Sequence, residues 1–331
     1  MERFEEELDE REGGKVKTLV LGSGASALAY LFYNPDSFAL AGEQVGGLFA
    51  QAQNLGPQYI WKTASTTRLL KDMGYFDEGS EMTKVTVQMV RIGYLWKGKI
   101  TRLQDLEIDD RRDIQRLYAL KTRGIAPKAS FMSDGKSEFE IYSLPVDALI
   151  AELLRRVSLR LVLQKASEID MYNKVVRIEN NGPKALPTFI PYDKLVSTIP
   201  APVLLKLIGN ESEVTRLRAF DKVYEKTAAY YPFEHVLCSG GEFDYVYVAG
   251  DEYPFHRVRK LDDRLVVREF TLIDGYSGPK FPESVLTQKK GQIVSGHEVL
   301  ESLPPDSVEC YGRYAEWKHG IRLEDVLEEI Q

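Results

Sequence analysis

A strand, a glycine turn and a helix in immediate succession open this chain, and that order leaves few folds available. Val16, Leu19, Val20 and Leu21 make a short apolar strand that ends at Gly22, and Gly22-Ser23-Gly24-Ala25-Ser26-Ala27 follows at once. Leu28, Ala29, Leu31 and Phe32 then supply a helical apolar face. A tight turn, a close backbone approach to a ligand and close helix–sheet packing require small residues at positions 22, 24 and 27, and alanine serves at the third. The free N–H groups and partial positive charge of the helix N-terminus suit a pyrophosphate. Residues 37–41 read as a second strand leading to Glu43, 21 residues beyond Gly22. That spacing suits a carboxylate accepting the ribose hydroxyls of an adenosine. A glycine-rich turn in some other α/β protein is the plain alternative, but strand, helix and acid in register favour a dinucleotide unit.

Composition bounds the rest. At 331 residues the chain is long enough for two domains. The net charge of −7 gives no general basic surface for nucleic acid, although a local basic groove is compatible with it. Cys238 and Cys310 are far apart and lack metal or redox spacing, so both read as packing residues in a reducing, cytoplasmic setting. His235, His256, His297 and His319 form no ligand set, so no metal is expected. No apolar run reaches the roughly 18–20 residues of a membrane span. The acidic residues 1–14 are the opposite of a signal or transit peptide and read as a tail detached by Gly13-Gly14.

Along the chain, 66–73 reads as a short helix closed by Gly74, and 84–92 alternates as a strand running into a hairpin end at 93–99. Residues 103–120 are charged and helical, and 146–157 form an amphipathic helix with Leu149, Ile150, Leu153 and Leu154 on one face. Residues 159–163, 174–178 and 194–198 read as strands, 245–248 and 264–272 as strands of an antiparallel sheet, and 321–330 as a terminal helix. The order implies a discontinuous nucleotide domain (15–75, 142–206 and 300–331) interrupted by a second domain (76–141 and 207–299).

Five separated segments, in order, resemble the superfamily of amine oxidases, protoporphyrinogen oxidases and UDP-galactopyranose mutases. They are the GSGASA turn with Glu43 and Gly46-Gly47; Leu55-Gly56-Pro57-Gln58-Tyr59; residues 192–200; Tyr253-Pro254-Phe255-His256-Arg257-Val258; and Tyr311-Gly312-Arg313-Tyr314-Ala315-Glu316-Trp317-Lys318. The fourth and fifth are similar to the mutase branch. The chain departs from the family where a basic residue usually precedes the double glycine, here Glu43-Gln44-Val45, and where mutases carry a glycine-rich segment, here Ile141-Tyr142-Ser143-Leu144-Pro145. The resemblance implies an α/β fold with an α+β second domain: a Rossmann-like FAD-binding domain and an inserted substrate domain on an antiparallel sheet. It implies FAD as cofactor.

With that resemblance, Gly22, Gly24, Ala25, Ser26, Glu43, Gln44, Gly46, Gly47 and Leu48 are candidate cofactor contacts near the N-terminus. Gly312 and Arg313 join them, since arginine grips phosphate bidentately. Leu323, Glu324 and Asp325 begin the last helix, whose amides suit negative charge at the flavin N1/O2 edge, although an acidic first turn is common in any helix. Tyr59, Trp61, Arg257, Arg259 and Trp317 are candidate substrate contacts. Arg257 and Arg259 share a strand face and make an anion clamp, with solvation on an exposed face as the plain reading of Arg259; alternation puts His256 on the opposite face. Tyr59, Trp61, Tyr94 and Trp96 suit the lining of a substrate cavity, with core packing the commoner role of such aromatics. His256 and Arg257 are the only candidates for catalysis beyond the flavin itself. The expected function is an FAD-dependent oxidoreductase oxidising a C–N or C–C bond of a polar or anionic small molecule by hydride transfer to N5. Rival readings are a non-redox flavin enzyme on a nucleotide-linked sugar, flavin chemistry on a modified nucleoside or nucleic acid, and a flavin-binding protein without catalysis.

Overall fold

The computed structural model describes residues 16–42, 45–46, 59–77, 85–122, 137–179, 188–214, 226–232, 243–260, 265–271, 287–290, 307–316 and 321–331. The expectations for residues 1–14, for Glu43, Gln44, Gly47, Leu48 and Trp317, and for Cys238, His235, His297 and His319 lie outside the described residues.

The chain opens with β1 (Val16–Leu21), α1 (Ala25–Tyr33) and β2 (Ser37–Leu40), followed by β3 (Tyr59–Trp61) and α2 (Ala64–Asp72). Next come β4 (Thr86–Trp96), β5 (Lys99–Thr101), α3 (Ile108–Lys121) and β6 (Glu138–Ser143). The middle of the chain holds α4 (Val146–Val157), β7 (Leu161–Val162), β8 (Ala166–Asp170), β9 (Val175–Ile178), β10 (Thr188–Ser197) and α5 (Ala201–Leu207). Then follow β11 (Lys226–Pro232), β12 (Tyr245–Val248), β13 (Arg257–Lys260), β14 (Leu265–Thr271), β15 (Thr287–Lys290), β16 (Glu309–Cys310) and α6 (Leu323–Ile330).

Two sheets organise these elements. The first runs β7-β2-β1-β10-β9-β8, with β16 also on β10. Its core pairings, β7 to β2, β2 to β1, β1 to β10 and β10 to β16, are parallel. A parallel sheet is covered on both faces, so its strands read as apolar runs without alternation. Accordingly Leu19, Leu21 and Leu195 pack on one side with Leu204 and Leu205 of α5. Val20, Ala39 and Val196 pack on the other with Leu28 of α1 and Leu149 and Leu153 of α4. The α4 residues Val146, Leu149, Ile150, Leu153 and Val157 recur at helical spacing and are buried, which anchors α4 beside α1. The second sheet runs β15-β11-β14-β13-β12-β4-β6-β3, with β5 on β4.

Two expectations need correction here. The second sheet is not antiparallel throughout, because β12 pairs with β4 in parallel. The two strands are separated by a long excursion through the first sheet, so no hairpin dictates their direction. The hairpin end expected at 93–99 is present: β4 continues to Trp96, turns at Lys97 and Gly98, both at positive φ (49° and 76°), and pairs antiparallel with β5. β3, placed by the sequence beside the nucleotide unit, is hydrogen-bonded into the second sheet through β6. Among the described residues no helix is long and apolar enough to cross a membrane.

Candidate active site

Three parallel strands end side by side at one edge of the first sheet, and each hands the chain to a small residue or turn. β1 ends at Leu21 before Gly22, β10 at Ser197 before Thr198, and β16 at Cys310 before Tyr311-Gly312. Ligands of open α/β sheets bind outside such carboxyl ends. Thr198 fastens β10 to β1 here, its N–H and Oγ1 both donating to the Leu21 carbonyl at 2.9 Å. Gly22 has φ +110°, and a Cβ there would lie 2.4 Å from Thr198 Oγ1, so only glycine fits.

Gly24 is different. It precedes α1 in extended conformation, and a Cβ built on it would meet nothing within 4 Å among the described residues. The described residues therefore leave space over this turn that their packing does not require. No acidic residue occupies the first turn of α1 and no side chain caps it, so among the described residues its N-terminal amides carry no internal anion. The Gly46 N–H donates to the Ser23 carbonyl at 2.8 Å, which brings the residue 45–46 turn against the glycine turn.

The last segment of the chain closes on the same place. Tyr311 N–H donates to the Ser197 carbonyl at 3.0 Å, extending β16 along β10. Gly312 follows at φ +94°, where a Cβ would stand 2.6 Å from Ser26 Oγ. The buried Glu316 carboxylate accepts the Gly312 N–H at 2.9 Å and so fixes this turn. Burial pushes the Arg313 pKa down; Tyr314 and Asp325 oppose that, while the charges of Arg322 and Arg257 reinforce it. Arg313 donates from Nε to the Ile321 carbonyl at 3.3 Å and forms no salt bridge among the described residues. It is a partly buried cation among other cations. At the N-terminus of α6, the Asp325 carboxylate accepts the Arg322 N–H at 2.8 Å. Glu324 is buried, its pKa raised by that burial, and it stands 3.4 Å from Arg322 Nη1. Leu323 packs against the apolar cluster that α1 and α2 share instead of standing free.

A chain of aromatic rings links this region to the second sheet. The Arg322 guanidinium lies 4.6 Å from the Trp61 ring centroid. Trp61 meets Tyr59 edge-on at 6.3 Å, and Tyr59 meets Tyr245 at 6.1 Å. The Arg257 guanidinium then lies 5.7 Å from the Tyr245 centroid and 5.9 Å from that of Tyr247. Tyr94 stacks on Tyr247 at 5.5 Å, and Tyr118 of α3 meets Tyr247 at 5.3 Å. Burial first, and then Tyr245, hold the Tyr59 hydroxyl well above the usual phenol range. Burial alone opposes the charge of Arg257, but Glu269 and the phenols more than offset it, so its pKa lies above that of an ordinary guanidinium.

His256 does not take the opposite face from Arg257. The strand begins only at Arg257, and His256 sits in the bend before it. Alternation therefore does not reach it, and both side chains converge on Glu269. Arg257 Nη2 donates to Glu269 Oε1, while His256 Nε2 stands 3.6 Å from Oε2. Arg257 and Glu269 are directly opposed across β13 and β14. Arg259 is 6% exposed and lies opposite Tyr245, so it is packed and not a solvated surface residue.

The structure thus brings Tyr59, Trp61, Arg257 and Arg259 together with residues that the sequence did not single out: Glu269, Arg322, Tyr118, Tyr245 and Tyr247. Glu269 had a signal, a lone acid inside the apolar run Leu265-Val266-Val267-Arg268-Glu269-Phe270. Arg322 had none, because its partner Trp61 is 261 residues away.

No protein-family model matches the chain, and no curated protein matches it. Solved structures do. Reduced UDP-galactopyranose mutase superposes with a TM-score of 0.66 over 95% of this chain and 93% of its own, at 13% identity. The CLA-producing fatty acid isomerase of P. acnes gives 0.59 over 97% and 98%, at 12% identity. Putrescine oxidase bound to putrescine gives 0.60 over 96% and 97%, at 10% identity. At these identities the likeness is one of fold, and it extends over both sheets. The chain has the fold of these enzymes, the mixed α/β architecture that its five segments resemble.

Proposed function

We propose that this protein is an FAD-dependent oxidoreductase acting on a small polar or anionic substrate held between its two sheets. The observation that carries the reading is the open space over Gly24 beside an uncapped helix N-terminus, closed from the far end of the chain by Gly312. That cradle fits a dinucleotide pyrophosphate. Gly22, Gly24, Ala25 and Ser26 hold the pyrophosphate, with Gly46, Gly47 and Leu48 running alongside. Glu43 and Gln44 take the adenosine ribose. Gly312 and Arg313 complete the cradle, and the start of α6 (Leu323, Glu324, Asp325) borders the ring. When bound, the flavin supplies the hydride acceptor for oxidation of a C–N or C–C bond. Such a reaction asks no nucleophile of the protein, in keeping with a site of arginines and phenols.

Tyr59, Trp61, Arg257, Arg259 and Trp317 bind and orient the substrate, and the phenol rings exclude water from around it. In this reading residues 15–75, 142–206 and 300–331 form the cofactor domain, from which β3 joins the second sheet, and 76–141 and 207–299 form the substrate domain. Extraction and chromatography of the cofactor from purified protein tests the proposal. FAD is expected; NAD alone, or an apoprotein that takes up no FAD, refutes it. A second reading, non-redox chemistry on a nucleotide-linked sugar, is favoured by the fixed positive charge of Arg257 against Tyr245 and Tyr247.

A further inference from the structure

The aromatic wall of the site already contains a cation. The faces of Tyr245 and Tyr247 lie 5.7 and 5.9 Å from the Arg257 guanidinium. Faces of aromatic rings attract cations within about 6 Å, and this is how proteins recognise ammonium groups. Here the protein's own arginine takes that place and cannot leave it easily. Glu269, 8% exposed, accepts a hydrogen bond from Arg257 Nη2 across the β13–β14 pairing. An arginine also remains charged at any ordinary pH. We infer that Arg257, fixed by Glu269, is a specificity-determining residue that bars ammonium groups from the substrate face and selects a carboxylate or phosphate. The inference rests on the substrate site proposed above.

Two further observations support an anion. Arg257 Nε is buried and makes no hydrogen bond among the described residues, while the side chain as a whole is 28% exposed. Glu269 therefore engages one edge of the guanidinium and leaves donors over, and a ligand oxyanion supplies the acceptors that a planar fork is built to meet. In addition, the Arg313 pKa, lowered first by burial, is lowered further by the charges of Arg322 and Arg257. A ligand anion beside Arg257 eases that repulsion, and an ammonium adds to it. Glu269 is a positioning residue in this scheme. It offsets part of the arginine charge and holds the fork against the rings.

The test uses FAD-loaded full-length protein and calorimetric titration with three probes: UDP for a phosphate, octanoate for a carboxylate, and putrescine for an amine. At least one anion is expected to bind at millimolar concentration and putrescine not to bind. Binding of UDP alone, or of octanoate alone, identifies which anion the subsite prefers. Arg257→Gln keeps a donor toward Glu269 but removes the charge, so anion binding falls roughly 10- to 150-fold. Two ring faces and a carboxylate are then left facing one another, and putrescine binding should appear. Arg257→Lys keeps a cation without the fork, so anion binding weakens while putrescine remains excluded. Circular dichroism and FAD content are recorded for each variant. If Arg257→Gln does not fold, the lysine variant decides the matter. Binding of putrescine to the wild type, failure of both anions to bind, or anion affinity unchanged in a folded Arg257 variant overturns the inference. Absence of FAD with the probe pattern intact refutes the proposed function but leaves this selectivity standing.

Discussion

Gly312 is seated directly against Ser26, so that a Cβ on Gly312 would stand 2.6 Å from Ser26 Oγ and 3.3 Å from its Cβ. This contact brings the last segment of the chain onto the first turn of the first helix. It joins positions 286 residues apart in the sequence, at the mouth of the candidate dinucleotide cradle.

Gly312→Ala should therefore destabilise the protein by on the order of 1–3 kcal/mol, since both the positive φ and the contact oppose a methyl group. Adding Ser26→Gly removes the contact but not the φ strain, so the double variant should recover part of the loss. Urea denaturation with a two-state fit measures both. Additive losses in the double variant would show that the contact is not what excludes the side chain.

Gly22 and Gly24 should separate fold from ligand. Gly22→Ala meets Thr198 Oγ1 at 2.4 Å and lowers stability with or without cofactor. A Cβ at Gly24 meets nothing within 4 Å among the described residues, so the melting temperature of Gly24→Val without cofactor should match wild type within a few degrees. Its FAD content should be nil, because the new side chain fills the space of the pyrophosphate. Normal FAD occupancy in Gly24→Val would mean that the turn serves packing alone.

Lys121, at the end of α3, donates to the carbonyls of Gly250 and Tyr253 and so ties down the turn before His256. Burial lowers its pKa to about 8, against the opposing pull of Glu252 and Asp251. Between about pH 8 and the unfolded value near 10.5 the unfolded chain binds more protons than the folded one. Over that window the lysine's contribution to stability rises with pH, and it is lost as pH falls through 8. The stability difference between wild type and Lys121→Met should accordingly grow in favour of wild type from pH 8 to 10. A difference flat in pH would show that the ammonium is solvated in the folded state.

The redox and non-redox readings part on one anaerobic experiment. An oxidoreductase bleaches its oxidised flavin with substrate and recovers the colour with an acceptor. A mutase-like enzyme turns over only after dithionite reduction, with no net electron flow. Many turnovers of oxidised protein with stoichiometric acceptor reduction would exclude the mutase reading.

The local units follow from residues close together in the chain. Continuous apolar runs such as Leu19-Val20-Leu21 specify strands buried on both faces, and the spacing of Leu149, Ile150 and Leu153 specifies the buried face of α4. Small residues at 22, 24 and 27 announce the turn between strand and helix because only small side chains meet its steric demands. Periodicity and sterics act over a few residues, so they are legible in a linear text. What the tertiary structure decided is pairing at a distance. It set β4 parallel to β12, stacked Arg322 on Trp61, and turned His256 and Arg257 onto the same Glu269. None of these follows from neighbours in the chain. Each depends on which strand lies beside which and on where a strand begins, and those are settled by the packing of the whole molecule.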